Sequence, residues 1–385
     1  MFIKKILVNI FLFGCRILYG IDSNKVIFES FHGKSYSDNP KAISECLHKR
    51  LDKVKIVWVT LDADNNKGVY PDYINLVDKK NSWKYYKELA TASVFVTNFQ
   101  LPDIIKSKKQ FFIQTWHGDR AFKKVLHDSE FRDTSKKLPE EKAGFCDLAI
   151  AGSDYGEMQY RSAFLYKGTV LKEGTPRDDI LVEKSEKQIS FLKKKIGIDE
   201  KVKILLYAPT LRRNAYNART KQNIQDIEIE KTLEALEKKY SCSWVCFVRA
   251  HSSVCGIAGL NFNERIIDVS SYEDMAELLL ISDVLITDYS SSAGDFALLD
   301  RPVILYASDY EEYLKHDRGL YFDLADSPYY VAENQNSLLN IIEGLNEEDI
   351  RKNCCEILDF YKTNETGRAS EIVVEHLISW MGKDK

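Results

Sequence analysis

Short apolar runs alternate with amphipathic stretches along most of the chain. In the first half, five runs have the length of buried strands: residues 26–28, 55–60, 93–97, 111–115 and 147–151. Helical periodicity falls between several of them, at residues 40–52 and 83–91. Strands that alternate with helices predict a parallel sheet built from βαβ units.

The pattern restarts after residue 200. Strand-like runs cover residues 204–208, 244–249, 266–269, 284–287 and 302–305, and helical stretches cover residues 227–240, 272–281 and 293–299. Residues 174–197 lie between the two sets and open on Gly-Thr-Pro-Arg, so we place a domain boundary near residue 176. The chain is thus predicted to be α/β, with two doubly wound Rossmann-like domains facing a cleft. In such sheets ligands bind outside the carboxyl ends of the strands.

Both ends of the chain are predicted to be helical. Residues 346–380 have helical periodicity that Asn364–Gly367 interrupts, which predicts two closing helices. Residues 1–21 are strongly apolar but include lysines and Arg16. A signal peptide would need a small-residue cleavage site, and Asn9 and Arg16 shorten the run for a spanning helix. We favour a basic, apolar helix that lies on a membrane surface or packs on the body.

Four segments follow from these boundaries. They are a membrane-surface helix (1–21), an acceptor-side Rossmann-like domain (22–175), a donor-binding Rossmann-like domain (176–345) and closing helices (346–385).

Composition excludes several classes of protein. The 385 residues carry 54 Lys and Arg against 58 Asp and Glu, a net charge of −4, and 44% are hydrophobic. A disordered chain or a multi-span membrane protein is excluded, and nothing favours nucleic acid as a partner. The eight cysteines form no CxxC pair, which is typical of reduced thiols in a cytosolic protein.

Polar residues collect directly after the predicted strands. They include His117, the arginines 212 and 213, Arg249 with His251, and a serine cluster before a predicted helix at residues 290–292. Arginine guanidinium groups and the backbone N–H groups at the start of a helix can donate hydrogen bonds to phosphate oxygens. The sequence has no Walker loop or GxGxxG fingerprint, and no DxD pair follows a strand in the second half. We therefore expect no cofactor and no metal. His32, His48, His127, His316 and His376 are assigned to structure or surface.

Seven motifs in this order resemble the CDP-glycerol glycerophosphotransferase family, which builds teichoic acids and related capsular polymers in bacteria. They span most of the chain, from about residue 25 to 325: GKSYSDNPKA (33–42), TWHG (115–118), GTPRD (174–178), YAPTLR (207–212), RAH (249–251), TDYSS (287–291) and RGLYFD (318–323). One departure is Ser-Pro-Tyr-Tyr at residues 327–330, where the family often has a Pro-Gly element.

The resemblance implies a GT-B-like fold and a reaction at the cytoplasmic face of the cell membrane, where the protein would be peripheral. A hydroxyl of a lipid-linked glycopolymer would attack the β-phosphorus of CDP-glycerol, or of CDP-ribitol, and release CMP. Such transfer depends mainly on positioning and charge stabilisation, and the hydroxyl needs a base with a near-neutral pKa.

By its match to the motifs, His117 is expected to be that base, and His251 with Arg249 is expected to contact the donor diphosphate and assist departure of CMP. The other expected ligands of the donor phosphates are Thr210, Arg212, Thr287, Ser290, Ser291 and Arg318.

Two other functions stay open at the level of sequence. A glycosyltransferase of the same architecture would attack an anomeric carbon and release UDP. A peripheral protein that binds phosphorylated polymer would bind without nucleotide turnover. The choice between glycerol and ribitol, primer and polymer synthesis, and wall and capsule acceptors is also open, as is the oligomeric state.

Overall fold

The computed structural model describes residues 2–100, 102–129, 146–212, 222–223, 226–250, 257–258, 260–317 and 319–382. The strands are β1 Asp22–Glu29, β2 Lys55–Thr60, β3 Ile74–Asp78, β4 Ala92–Thr97, β5 Phe111–Gln114, β6 Leu148–Ile150, β7 Thr169–Leu171, β8 Lys203–Ala208, β9 Gln222–Asn223, β10 Trp244–Val248, β11 Ile257–Ala258, β12 Ile266–Asp268, β13 Val284–Thr287, β14 Val303–Tyr306 and β15 Tyr330–Ala332. The helices are α1 Phe2–Tyr19, α2 Asp38–Arg50, α3 Ser82–Thr91, α4 Asp154–Ser162, α5 Asp179–Glu183, α6 Glu186–Ile196, α7 Ile229–Tyr240, α8 Met275–Ile281, α9 Ser292–Ala297, α10 Tyr310–His316, α11 Gln335–Gly344, α12 Glu347–Phe360 and α13 Ala369–Trp380.

The described residues form two compact units. The first comprises those within Met1–Asp119, Lys136–Asp179 and Asn364–Lys385, and the second those within Arg120–Ser135 and Ile180–Thr363. These units differ from the segments expected from sequence in three places. Residues 120–129 belong with the second unit, and residues 176–179 belong with the first. The two C-terminal helices are divided, α12 to the second unit and α13 to the first.

A parallel sheet of seven strands forms the centre of the first unit, in the order β3-β2-β1-β4-β5-β6-β7. On one face Val26 and Phe28 pack in the same core as Val373 and Leu377 of α13. On the other face Ile27 shares a core with residues of α1 and α3. Burial on both faces explains why these strands appear in the sequence as continuous apolar runs. The strand order reverses between β1 and β4, which makes their carboxyl ends the expected ligand site.

A second parallel sheet lies in the second unit, in the order β12-β10-β8-β13-β14-β15. Here the order reverses between β8 and β13, the two strands that precede the YAPTLR and TDYSS motifs. Outside this sheet, β9 and β11 form a separate parallel pair.

All ten predicted strands are confirmed, with ends that differ by a few residues, and so is the α/β class with two doubly wound parallel sheets. Five strands were missed: β3, β7, β9, β11 and β15. Each lies at the edge of its sheet and is five residues or shorter. An edge strand is covered less completely, so its apolar pattern is weaker.

Candidate active site

His117 lies at the carboxyl edge of the first sheet, three residues after the end of β5. Its Nδ1 is 2.7 Å from the backbone carbonyl oxygen of Asn98, which follows β4. A carbonyl oxygen can only accept, so Nδ1 carries the proton and donates it. In the neutral ring this leaves the lone pair on Nε2. The imidazole is thereby fixed in the tautomer that a general base requires.

Aromatic side chains surround the His117 ring. Phe99 stacks on it with ring centroids 5.5 Å apart, and Phe31 meets it edge-on at 5.1 Å. Burial lowers the pKa of His117, and the Arg177 charge lowers it further, although the Asn98 carbonyl and the Asp38 carboxylate act in the opposite direction. At neutral pH the ring is therefore held in its basic form.

Asn98 connects the ends of β1 and β4, and sequence reasoning missed it. The side chain is fully buried; its Oδ1 accepts from the Phe31 amide at 2.9 Å and its Nδ2 donates to Ser30 Oγ at 3.1 Å. The one signal in the sequence was its position, because it is an amide that directly follows a buried strand.

Three of the sequence motifs meet around Asn39 at the start of α2. Its Nδ2 donates to the backbone oxygens of Thr115 and Trp116, and its Oδ1 accepts from the Arg177 amide at 3.0 Å. The Arg177 guanidinium is buried and its Nη1 lies 4.0 Å from Asp38 Oδ1. The GKSYSDNPKA, TWHG and GTPRD motifs thus form one cluster within the first unit.

The backbone of this cluster is unusual. Four non-glycine residues have positive φ: Phe31 (46°), His32 (62°), Asp38 (64°) and Trp116 (52°). Left-handed conformations of such residues cost roughly 1–3 kcal/mol each, and they concentrate at functional sites. Their concentration beside His117 is independent support for a site at this edge.

In the second unit, Asp288 organises the loops after β8 and β13. The buried carboxylate accepts from the amide of Thr210 at 2.9 Å and from that of Tyr289 at 2.6 Å. Burial raises the pKa of Asp288, but the charges of Arg212 and Lys123 outweigh it and hold the pKa below the ordinary value. Thr210 is thus held by its backbone, with its hydroxyl 3.0 Å from Arg212 Nη1.

Arg212 is engaged by two carboxylates. Its Nε and Nη2 donate to Asp309 at 2.7 and 3.0 Å, and its Nη1 lies 2.9 Å from Asp288 Oδ2. Although burial opposes the charge, these two carboxylates raise the pKa of the guanidinium. These ion pairs fix the orientation of the guanidinium, and the contact of Arg212 with phosphate stays a prediction.

Thr287, Ser290 and Ser291 are hydroxyl residues expected to bind the donor phosphates, and their surroundings differ. The Thr287 hydroxyl is fully buried and donates to the Ala208 carbonyl at 2.7 Å, within the sheet, so the structure gives its expected phosphate contact no support. Ser290 and Ser291 are half-buried at the start of α9. Ser290 Oγ lies 2.8 Å from Ser292 Oγ and accepts weakly from the Ser292 amide. Both serines are placed where a helix start offers donors.

Arg249 follows β10 and is half-buried. Its Nη2 donates to the backbone oxygen of Glu273 at 3.3 Å, whereas its buried Nη1 has no hydrogen-bond partner in the part of the chain that the structure describes. Burial lowers the pKa of Arg249, and Asp274 opposes this. Two other expected site residues, His251 and Arg318, lie outside the described residues.

No group of three or more His, Cys, Asp or Glu side chains within the described residues has an arrangement that could hold a metal ion. The groups gathered after the strands of each sheet are an imidazole, guanidiniums, hydroxyls and backbone amides, together with the Asp38 and Asp288 carboxylates.

Comparison with known proteins identifies the family. The sequence profile of CDP-glycerol:poly(glycerophosphate) glycerophosphotransferase matches residues 11–379. The chain belongs to this family. The resemblance in the seven motifs is thereby confirmed, and the protein is an enzyme of the glycerophosphotransferase class.

Individual relatives agree with the family. The chain is 32% identical to a teichoic acid poly(glycerol phosphate) polymerase of Bacillus spizizenii, over 97% of this chain and 98% of that protein. It is 30% identical to a teichoic acid glycerol-phosphate transferase of Staphylococcus aureus, over 85% of each. The structure of the wall teichoic acid polymerase TagF superposes with a TM-score of 0.85 at 27% identity and covers 99% of this chain and 96% of that one. The α/β, GT-B-like fold class is thus established for this family member.

Proposed function

We propose that the enzyme transfers glycerol phosphate from CDP-glycerol to a hydroxyl of a membrane-associated teichoic acid or capsule-type acceptor, with His117 as general base and without a metal ion. The hydrogen bond between His117 Nδ1 and the Asn98 carbonyl carries this proposal. Because it fixes the tautomer, Nε2 is the nitrogen that can take a proton.

The chemical step is a displacement at phosphorus. The acceptor oxygen bonds to the β-phosphorus while the bond from that phosphorus to the bridging oxygen breaks, and CMP departs with the bridging oxygen. The acceptor proton passes to Nε2 of His117. A buried base with a lowered pKa is unprotonated at neutral pH and ready for this transfer.

The donor-side groups would stabilise the charge that develops on the diphosphate. Arg249 supports this role because its Nη1 makes no hydrogen bond to the described residues. Ser290 and Ser291 support it because they are half-buried at the start of α9, next to the point where the strand order reverses. His251 and Arg318 are assigned to the same diphosphate by their motifs. Arg212 would hold Asp288, and with it the Thr210 loop, in place.

We also propose that α1 holds the enzyme on the cytoplasmic face of the membrane as a peripheral protein. One side of the helix packs on the first unit through Leu12 and Cys15. The other side leaves large apolar residues between 43% and 73% exposed, namely Ile3, Ile6, Leu7, Ile10, Phe13 and Ile17. No helix among the described residues is long and apolar enough to cross a bilayer. A half-packed helix with such a stripe is suited to the bilayer surface.

The released nucleotide tests the proposed reaction. Purified enzyme is incubated separately with CDP-glycerol, CDP-ribitol and a UDP-sugar, each with a lipid-linked acceptor, and nucleotides are identified by chromatography. We expect CMP from CDP-glycerol, dependent on the acceptor. Release of UDP alone would identify a glycosyltransferase, and binding of polymer without nucleotide release would identify a binding protein.

A further inference from the structure

A second imidazole lies at the same edge of the first sheet as His117. His32 meets Phe99 edge-on with ring centroids 4.2 Å apart, and Phe99 in turn stacks on His117. The two histidines therefore share one aromatic neighbour. The sequence alone assigned His32 to structure or surface.

The loop of His32 is held by the residue that orients His117. The Asn98 side chain binds the Phe31 amide and Ser30 Oγ, while the Asn98 carbonyl binds His117 Nδ1. The loop it holds is strained, because Phe31 and His32 are both left-handed. The fold keeps His32 in a left-handed backbone conformation, which carries an energetic cost, next to the base.

The surroundings of the ring indicate which edge a ligand can reach. Its Nδ1 lies 3.8 Å from Oε1 of the buried Glu29, and Lys79 forms an ion pair with that carboxylate. The His32 side chain is 42% exposed, and the ring nitrogen that approaches Glu29 is Nδ1 rather than Nε2. Lys34, two residues later, is exposed. The loop thus carries a partly exposed imidazole two residues from an exposed lysine, a combination that suits an anionic oxygen.

We propose that His32 binds the phosphate group of the acceptor's terminal unit while His117 takes the proton from that unit's hydroxyl. This inference rests on the proposed function. In a glycerol phosphate unit the hydroxyl and the phosphate are attached to the two ends of a three-carbon chain. Two imidazoles that contact the same phenylalanine ring can bind the hydroxyl and the phosphate of one unit at the same time. His32 is then a specificity residue for acceptors that already carry phosphate.

The test is His32→Asn, because asparagine tolerates the left-handed conformation and the exchange removes the imidazole without adding backbone strain. At saturating CDP-glycerol we expect KM for a synthetic glycerol phosphate trimer to rise about 10- to 100-fold. This is the effect expected from the loss of one hydrogen bond to a charged group. The kcat and the KM for CDP-glycerol should stay within about threefold of wild type. The control is His48→Asn, since the His48 ring stacks on Tyr73 instead, and it should change none of these constants.

An unchanged KM for the trimer, or an equal rise in KM for CDP-glycerol, overturns the proposal. Calorimetric binding of the trimer to wild type and His32→Asn separates the two hypotheses. If wild type releases no CMP, the proposed function fails, yet weaker binding of the trimer by the variant still supports His32 as a phosphate ligand. Equal binding by both proteins rejects that role whether or not the enzyme turns over.

Discussion

The Nδ1 of His117 donates to the carbonyl of Asn98 over 2.7 Å, and no rearrangement of side chains can remove that acceptor because it belongs to the backbone. The pairing constrains both the tautomer and the ring orientation of the proposed base. Substitution and pH experiments on His117 therefore have defined expectations.

Replacing His117 by alanine should lower kcat by about 10²- to 10⁴-fold, the usual contribution of a general base. The dissociation constant of CDP-glycerol should stay within about threefold, since the ring is assigned to the acceptor side. Stopped-assay kinetics and equilibrium binding measure the two quantities. His316→Ala, in an exposed side chain of α10, is the control. Full activity in His117→Ala would remove this residue from the mechanism.

The pH profile should reflect the lowered pKa of His117. The base acts when neutral, and burial lowers the pKa, so activity should persist below the ordinary histidine value of about 6.5 before it declines in acid. The measurement is log kcat between about pH 5 and 8 at saturating substrates. An acidic limb with its midpoint above about pH 7 would contradict the burial of the ring.

Arg212→Ala should act mainly on stability. It leaves the buried Asp288 and the neighbouring Asp309 without their guanidinium, so we expect a loss of about 3 kcal/mol in the free energy of unfolding. Chemical denaturation measures it. Arg351→Ala, which breaks an exposed ion pair with Glu347, should cost less than about 1 kcal/mol. Unchanged stability together with weaker CDP-glycerol binding in this variant would instead support a direct contact between Arg212 and a donor phosphate.

Chelation should leave the reaction intact. The groups proposed to neutralise the diphosphate are guanidiniums, hydroxyls and amides, which need no divalent ion as an intermediary. The rate of CMP release is compared before and after exhaustive treatment with EDTA. A loss of activity that added Mg²⁺ or Mn²⁺ restores would show that a metal ion takes part.

Charged substitutions on the exposed side of α1 should weaken binding to vesicles. Phe13→Asp should reduce partitioning into vesicles that contain phosphatidylglycerol by at least about tenfold, because it removes one buried aromatic side chain from the interface. Co-sedimentation measures this. Phe191→Asp is the matched control, since Phe191 on α6 is 65% exposed and Phe13 is 64% exposed. Equal losses in both variants would argue against α1 as the contact surface.

The buried strands at the centre of each sheet could be predicted from the sequence, whereas the hydrogen-bond partners of the polar site residues could not. Val284–Thr287 is an apolar run buried on both faces, so its pattern alone predicted β13. The hydrogen bond from Thr287 to Ala208 could not be predicted because sequence does not indicate whether a hydroxyl at a strand end faces the ligand or the neighbouring strand. The pairing of Arg212 with Asp309 could not be predicted because the two residues are 97 positions apart in the sequence. Asn98 was missed because amide hydrogen bonds leave no periodic signal.

Asn98 has a consequence for any mutational survey of this enzyme. Its side chain holds the Phe31 loop and its main-chain carbonyl holds the base, so an exchange to alanine removes the hydrogen bonds of the loop while the acceptor of His117 Nδ1 stays in place. Coupling free energies between other residues at this edge should be measured with double-mutant cycles in which Asn98 is kept.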